Sequence, residues 1–371
     1  MNIRPHLVIV GGFLGAGKTT LILAAARLLA ERSLRSAIIL NDQSESLIDT
    51  ELARSSGFEA GEVTGGCFCC RFSELIRIAE RLREHAPDVI FAEPVGSCTD
   101  LSATILHPIQ DAYQDTFQLA ALTVLVDPGR VEQLQNPDVA FLFHKQLEEA
   151  DVVCFTKSDL YPDPPPLPFA RSRQLSAITG QGVAAWLDEI VSGSLTLSGT
   201  TLDIDYERYA QAESGLAWLN AEIDIECDPP CSPAMLLGPF LDELDRALSH
   251  AGISIMHMKA LDQTAAGYLK AALCANGGES AVEGALDASP AYSHHVLLNL
   301  RAAADPALVR VIVEHALADL PGRISSLGLR CFSPAPPKPE QRIPGISMVP
   351  DTSVVRSRSG RPGQGATRDR S

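Results

Sequence analysis

The sequence predicts an α/β protein. A doubly wound, mostly parallel sheet of the P-loop NTPase type comes first, then a smaller α+β domain of ferredoxin-like order and a disordered tail. Three observations carry this expectation. The apolar run His6-Leu7-Val8-Ile9-Val10 empties into Gly12-Phe13-Leu14-Gly15-Ala16-Gly17-Lys18-Thr19. Further short apolar runs without polar alternation recur between helical patterns, the signature of parallel strands covered on both faces. From about Asp203 the rhythm changes to strand, helix, strand, strand, helix, strand, the split βαβ order. The expected units are residues 1–200, 201–332 and 333–371.

Taken in order, the first strand leads through a glycine-rich turn to a helix expected over Thr20 to Ser33. Ala37 to Leu40, Val89 to Ala92, Leu122 to Val126 and Val152 to Thr156 read as the next buried strands, with amphipathic helices at Phe72 to His85 and Val183 to Val191. In the second unit, Leu216 to Glu226, Ile253 to Leu261, Tyr292 to Ala302 and Ile324 to Phe332 read as strands, and Pro239 to Ala251 and Pro306 to Leu320 as helices. Residues 264–288 give mixed signals. The last 39 residues hold Pro334, Pro336, Pro337 and Pro339, then a Ser, Gly and Arg mixture of net charge +4 without apolar periodicity, which predicts disorder.

Composition narrows the function classes. With 371 residues and 46% hydrophobic content the chain can bury a large core. A net charge of −16 argues against a nucleic-acid partner, because phosphate backbones call for clustered Lys and Arg. No run approaches the roughly 18 apolar residues that span a bilayer, and no charged-then-apolar leader precedes the first strand, so a cytoplasmic protein with no membrane partner is expected. Nine cysteines, three of them within four residues, then read as reduced thiols and a metal or redox site, not a disulfide framework.

The opening motif binds phosphate for mechanical reasons. Its glycines let backbone N–H groups curl around phosphate oxygens, Lys18 reaches the β and γ phosphates, and the Thr19 hydroxyl can hold Mg²⁺. The helix entered through Thr20 points its positive end at the same anion. Ligands in parallel sheets sit at the carboxyl ends of strands, where Asn41-Asp42, Glu93, Asp127 and Thr156-Lys157-Ser158-Asp159 also fall.

The second constellation is Gly65-Gly66-Cys67-Phe68-Cys69-Cys70. Thiolates are soft ligands suited to Zn²⁺, Cu⁺ or Fe–S centres. In a straight strand Cys70 would point away from Cys67 and Cys69, so a common ion requires a kink that the glycine pair allows. Three protein ligands leave a fourth tetrahedral position open. The competing readings are a packed cysteine cluster and a redox pair.

Together these motifs bring a resemblance. Val10 to Thr20 followed by Gly65 to Cys70 resembles the CobW family of P-loop GTPases, relatives of the UreG and HypB nickel metallochaperones, over roughly Leu7 to Val191. The likeness extends to Asn41-Asp42 with Asp49 in a first switch, Glu93-Pro94-Val95-Gly96, Gln146 with Asp151, and Thr156-Lys157-Ser158-Asp159. It implies a GTP-hydrolysing metal chaperone or insertase that binds GTP or GDP with Mg²⁺, carries Zn²⁺ or a related divalent ion at Cys67, Cys69 and Cys70, and hands it to a client protein. A homodimer is compatible with this. The alternative is a nucleotide-switched protein-binding module whose cysteines fix a structural metal loop.

The residues give their own account of the base. A carboxylate such as Asp159 accepts from guanine N1–H and its amine, while the Lys157 stem packs on the ring. Thr156 stands where the family has Asn, which removes a hydrogen bond worth about 0.5–1.5 kcal/mol and relaxes selectivity over ATP. Ser176-Ala177 resembles the loop whose backbone touches guanine O6. For chemistry, Lys18 and Mg²⁺ act on the γ phosphate, Thr19 on Mg²⁺, and Glu93 on the metal or attacking water. Asp42 is the candidate switch residue or a strand-end cap. No arginine finger is evident in the loops, so slow turnover is expected. Among the remaining features, His294-His295 and Met256-His257-Met258 read as strand residues, and Cys227 and Cys231 as incidental cysteines of a loop.

Overall fold

A computed structural model describes residues 4–344 apart from 44–47, 49–52, 54–56, 166–170, 196 and 198. Asp49, expected in a first switch, lies outside the described residues, as does the chain beyond residue 344.

The first sheet takes the order β3-β2-β4-β1-β6-β7-β8, with β5 beside β1 and every described pairing parallel. Its strands are β1 His6–Gly12, β2 Ser36–Asn41, β3 Glu59–Val63, β4 Val89–Glu93, β5 Gln118–Leu119, β6 Thr123–Val126, β7 Val152–Phe155 and β8 Ser172–Gln174. Strand alternation explains the double winding. Leu7 and Ile9 pack on one face with Phe72, Leu75, Ile76 and Ala79 of helix α2 (Phe72–Arg83). Val8 and Val10 pack on the other with Leu21, Ile22, Ala25 and Leu29 of helix α1 (Lys18–Glu31) and with Trp186 of helix α5 (Val183–Val191). Two helices not expected from sequence, α3 His107–Ala112 and α4 Pro137–Glu149, complete the layers.

After helix α6 (Tyr206–Ser214) the second sheet begins. It is antiparallel, ordered β12-β11-β10-β13-β9-β14, from β9 Ala217–Cys231, β10 Ser254–Thr264, β11 Gly267–Leu273, β12 Ala281–Gly284, β13 Ala291–Ala303 and β14 Arg323–Phe332. The four strands β10-β13-β9-β14 with helices α7 (Pro233–His250) and α8 (Pro306–Ala318) form the expected ferredoxin-like core. The mixed segment 264–288 supplies the two added edge strands. Both helices pack on the side presented by Leu219, Ile223, Leu298 and Leu300. The opposite side carries Trp218, Asn220, Asn299 and Arg301, and it faces the first domain.

Two local expectations need correction. Cys227 and Cys231 lie within β9, not a loop, and their thiols donate to different carbonyls, Pro321 O at 3.3 Å and Ser232 O at 3.4 Å. The tail expected to be disordered is pinned over its first residues: 333–344 carry no helix or strand, yet polar side chains and backbone N–H groups tie them to the first domain. His294 and His295 are strand residues as expected, one buried on Asp262 and one half-exposed on Asp224.

Candidate functional site

The phosphate loop leaves β1 through Gly12, whose φ of +130° belongs to glycine and whose added Cβ would stand 2.6 Å from Leu125 O. Gly15 and Gly17 also have positive φ, and Ala16 closes the turn through its N–H to Phe13 O at 3.1 Å. Lys18 Nζ donates to Gly12 O at 3.0 Å and stands 3.9 Å from Glu93 Oε1. Thr19 Oγ1 donates to the same Glu93 oxygen at 3.1 Å. Glu93 ends β4, the strand beside β1, which is why the carboxylate meets the loop.

A cavity of about 530 Å³ opens there. Gly15, Gly17, Lys18, Thr19, Thr20, Asp42 and Glu93 line it, together with Thr156, Lys157, Asp159, Ser176 and Ala177. Gly12 and Ala16 shape the loop from behind. Lys157, in left-handed conformation at φ +55°, reaches Asp127 Oδ2 at 2.6 Å, so its stem is held in place. The Thr156 hydroxyl donates to Val126 O at 3.2 Å and braces the loop on β6. Gln146 and Asp151 act on backbone, Gln146 Nε2 donating to Gly96 O and Cys98 O, and Asp151 accepting from Leu122 N.

Asp42, just beyond the end of β2, is held by the second domain. Arg301 of β13 donates through Nη2 to both its oxygens, at 3.0 and 3.1 Å, and lays its guanidinium over Trp218 at 4.1 Å. The second domain therefore closes the cavity from above, further tied by Arg130 and Gln133 to the backbone of β10. Sequence reasoning missed these contacts, although alternation along β13 marks Arg301 as projecting from the face opposite Leu300.

The cysteine loop turns as the glycines allow. Gly65 has φ +71°, and a single 3-10 turn over Phe68–Arg71 puts the three sulfurs together. Cys67 Sγ lies 2.9 Å from Cys69 Sγ and 3.2 Å from Cys70 Sγ, and the last two are 3.7 Å apart. Tetrahedral thiolates on zinc at about 2.3 Å stand about 3.8 Å apart, so a small opening of this cluster fits the ion. Hydrogen bonding with the Cys69, Cys70 and Cys98 thiols pushes the Cys67 pKa well down, while the bond to Cys67 raises Cys69 and pushes Cys70 up to about 11. Cys67 is thus the first of the three to give up its proton, and the others follow only when a cation takes up the charge.

Two supports of this loop were not legible in the sequence. Asn41 Nδ2 donates to Val63 O at 2.9 Å and Gly66 O at 2.8 Å, and its Oδ1 accepts from Phe68 N at 2.8 Å. The C-terminal strap crosses above: Lys338 N donates to Cys70 Sγ at 3.1 Å and Glu340 N to Cys69 O at 2.9 Å. Glu340 Oε2 accepts from Ser73 N and Oγ at the start of α2, and Arg342 Nε donates to buried Asp100 at 2.8 Å.

Residues 6–177 match the nucleotide-binding domain described as CobW/HypB/UreG. The zinc chaperone YeiR of Escherichia coli strain K12 is 31% identical over 165 residues, 41% of this chain and 46% of that protein. The zinc chaperone CobW of a Sinorhizobium species is 27% identical over 184 residues, 41% of this chain and 50% of that protein. The chain thus spans about half the length of these curated relatives. Among solved structures, Zn(II)-bound YjiA GTPase from E. coli is similar at 16% identity and TM-score 0.32, over 85% of this chain and 99% of that one. HypB from Helicobacter pylori in complex with nickel is similar at 14% identity and TM-score 0.40, over 55% and 92%. Among the described residues no helix is long and apolar enough to cross a membrane.

Proposed function

We propose, for a chain whose residues 6–177 form a nucleotide-binding domain of the CobW/HypB/UreG family, a GTP-binding and GTP-hydrolysing metal chaperone that takes Zn²⁺ at Cys67, Cys69 and Cys70 and hands it to a client protein. One observation carries the reading. Asn41 fastens the cysteine loop, and its chain neighbour Asp42 lines the nucleotide cavity, so nucleotide and thiol sites share one strand end.

The chemistry follows from charge and position. Lys18 sits where β and γ phosphates bind a loop of this kind. Thr19 and Glu93, with hard oxygens 3.1 Å apart beside it, fit Mg²⁺ and would hold it. When bound, that ion neutralises phosphate charge. Glu93 orients the attacking water, and Asp159 with the Lys157 stem selects guanine over adenine. The zinc chaperones among its relatives support Zn²⁺ as the cargo. The two described sheets act as a nucleotide unit, 1–200, and a second unit, 201–332, that senses its state.

Zn²⁺ affinity measured by competition with a chelating dye tests the reading. Protein loaded with a non-hydrolysable GTP analogue and protein loaded with GDP are expected to differ by about tenfold or more. Equal affinities overturn delivery, since a ligand without preference shifts nothing. The burial of Cys67 and Cys69, 5% and 2% exposed, favours the second reading of a structural metal loop. Zinc that leaves only when the protein unfolds decides for it.

A further inference from the structure

The second sheet turns a positively charged face toward the phosphate loop. Pleating decides which side chains point there. Met258 and Ala260 pack with the domain's own helices, so Lys259 between them projects to the helix-free side. A bulge between Ile255 and His257 turns two successive residues that way, Met256 into the first domain's core and His257 into the cavity. Across the ladder Lys259 stands opposite Asn299 and His257 opposite Arg301. All four line the cavity that also holds Lys18 and Thr19.

The charges form one group. Burial first, and then Lys259, Arg130, Lys18 and Arg301, depress the His257 pKa well below the usual histidine range. The P-loop lysine and the second domain's Lys259 thus act on the same imidazole from two domains. The carboxylates of Asp42, Glu93, Asp159, Glu279 and Glu283 line the same cavity, so an anion is favoured only where the cations gather around His257. The anion that Lys18 is placed to bind is a polyphosphate. Arg301 is engaged with Asp42, Lys270 reaches Glu283 at 3.4 Å, and Lys18 and Lys259 have partners as well. His257 and Lys259 line the same cavity as Lys18, the residue that a loop of this kind places at the β and γ phosphates.

We propose that His257 and Lys259 are nucleotide-binding residues that contact the terminal phosphate of a nucleoside triphosphate, so that both domains build the pocket and a triphosphate holds them together better than a diphosphate does. This rests on the nucleotide reading above and extends it to the second domain.

Binding of fluorescent GMPPNP and fluorescent GDP to the full chain tests it. Lys259→Ala is expected to weaken GMPPNP about tenfold and GDP by less than about twofold, with Lys259→Arg retaining most of the affinity. His257→Gln is expected to shift the same ratio in the same direction by a smaller factor. Unchanged GMPPNP affinity, or equal losses for both nucleotides, overturns the proposal. Lys259→Gln, checked by thermal melting, repeats the measurement if the alanine variant folds poorly. Wild-type protein that binds an adenine triphosphate with the same discrimination against its diphosphate keeps this inference and removes only the guanine reading. Wild-type protein that binds neither class removes both.

Discussion

Asn41→Ala isolates the clamp on the cysteine loop. The side chain is 8% exposed and makes three hydrogen bonds, to Val63 O, Gly66 O and Phe68 N. Truncation leaves Gly66 O and Phe68 N without this partner in a buried place, while Val63 O keeps Asp42 N at 3.3 Å. At about 1 kcal/mol for each unpaired group, the expected loss is about 2 kcal/mol of folding stability, a large share of a domain's total. The effect on metal is separate. Groups that hold ligands in position typically change affinity about 10–100-fold when removed. Zn²⁺ affinity is measured by chelator competition at a temperature where circular dichroism shows the variant folded. A drop in melting temperature with affinity within about twofold of wild type refutes the clamp, because the loop would then hold its sulfurs without Asn41. Asn41→Asp sharpens the test: it keeps the acceptor toward Phe68 N and turns a carboxylate on the two carbonyls, so its affinity should fall at least as far.

Three further outcomes follow from individual residues. Burial pushes the Glu149 carboxyl up from 4.5 to about 8, so its stabilising contribution is complete below pH 4.5 and is lost as pH rises toward 8. Denaturant melts across that range should show wild type losing up to about 1.4 kcal/mol per pH unit from this group, and Glu149→Gln a flatter profile; parallel profiles contradict the shift. Glu340→Ala removes the carboxylate from Ser73 at the start of α2 and should cost about 1 kcal/mol in thermal melts while speeding iodoacetamide labelling of half-exposed Cys70; an unchanged labelling rate means the strap does not cover that thiol. Gly12→Ala forces a methyl to 2.6 Å from Leu125 O at φ +130°, and a loss of about 2 kcal/mol or more is expected in the same melts, with wild-type stability ruling out the strain.

The central strands were legible because burial on both faces leaves a continuous apolar run. Leu7 to Val10 and Val152 to Phe155 could hardly be anything else in so short a span. The edges lacked that signal. β3 reads Glu59-Ala60-Gly61-Glu62-Val63 and β8 reads Ser172-Arg173-Gln174, polar because one margin faces water, and neither was expected from composition. Helix α4 is different, since its start is written in the chain: Asn136 accepts from Asp138 N and Val139 N, and Pro137 fills the first turn. The two motif loops were equally readable, because phosphate and metal each demand residue types at fixed spacing. Their supports were not. Arg301 meets Asp42 across 259 positions, and Lys338 meets Cys70 across 268, distances over which no periodicity reports a contact.

Those supports change what the loops can do. Asn41 and Asp42 are consecutive, and successive side chains at a strand end point to opposite sides. Asn41 therefore reaches the cysteine loop, and Asp42 reaches the cavity and Arg301. A displacement of Asp42 by a phosphate passes through one peptide unit, which bends very little, into the amide that holds Gly66 O and Phe68 N. Phe68 is fully buried, so the loop cannot simply slide with the clamp; it must stay or change its turn. The Cys67 sulfur, already closer to the other two than zinc prefers, is sensitive to that choice, because a shift of a few tenths of an ångström changes how well the three fit one ion. The second sheet adds the other half of the lever through Arg301. If the link runs this way, Arg301→Ala should shrink the difference in Zn²⁺ affinity between the two nucleotide states while leaving the GDP-state affinity unchanged. A difference as large as in wild type would mean that strand β2 moves, if it moves at all, without help from the second domain.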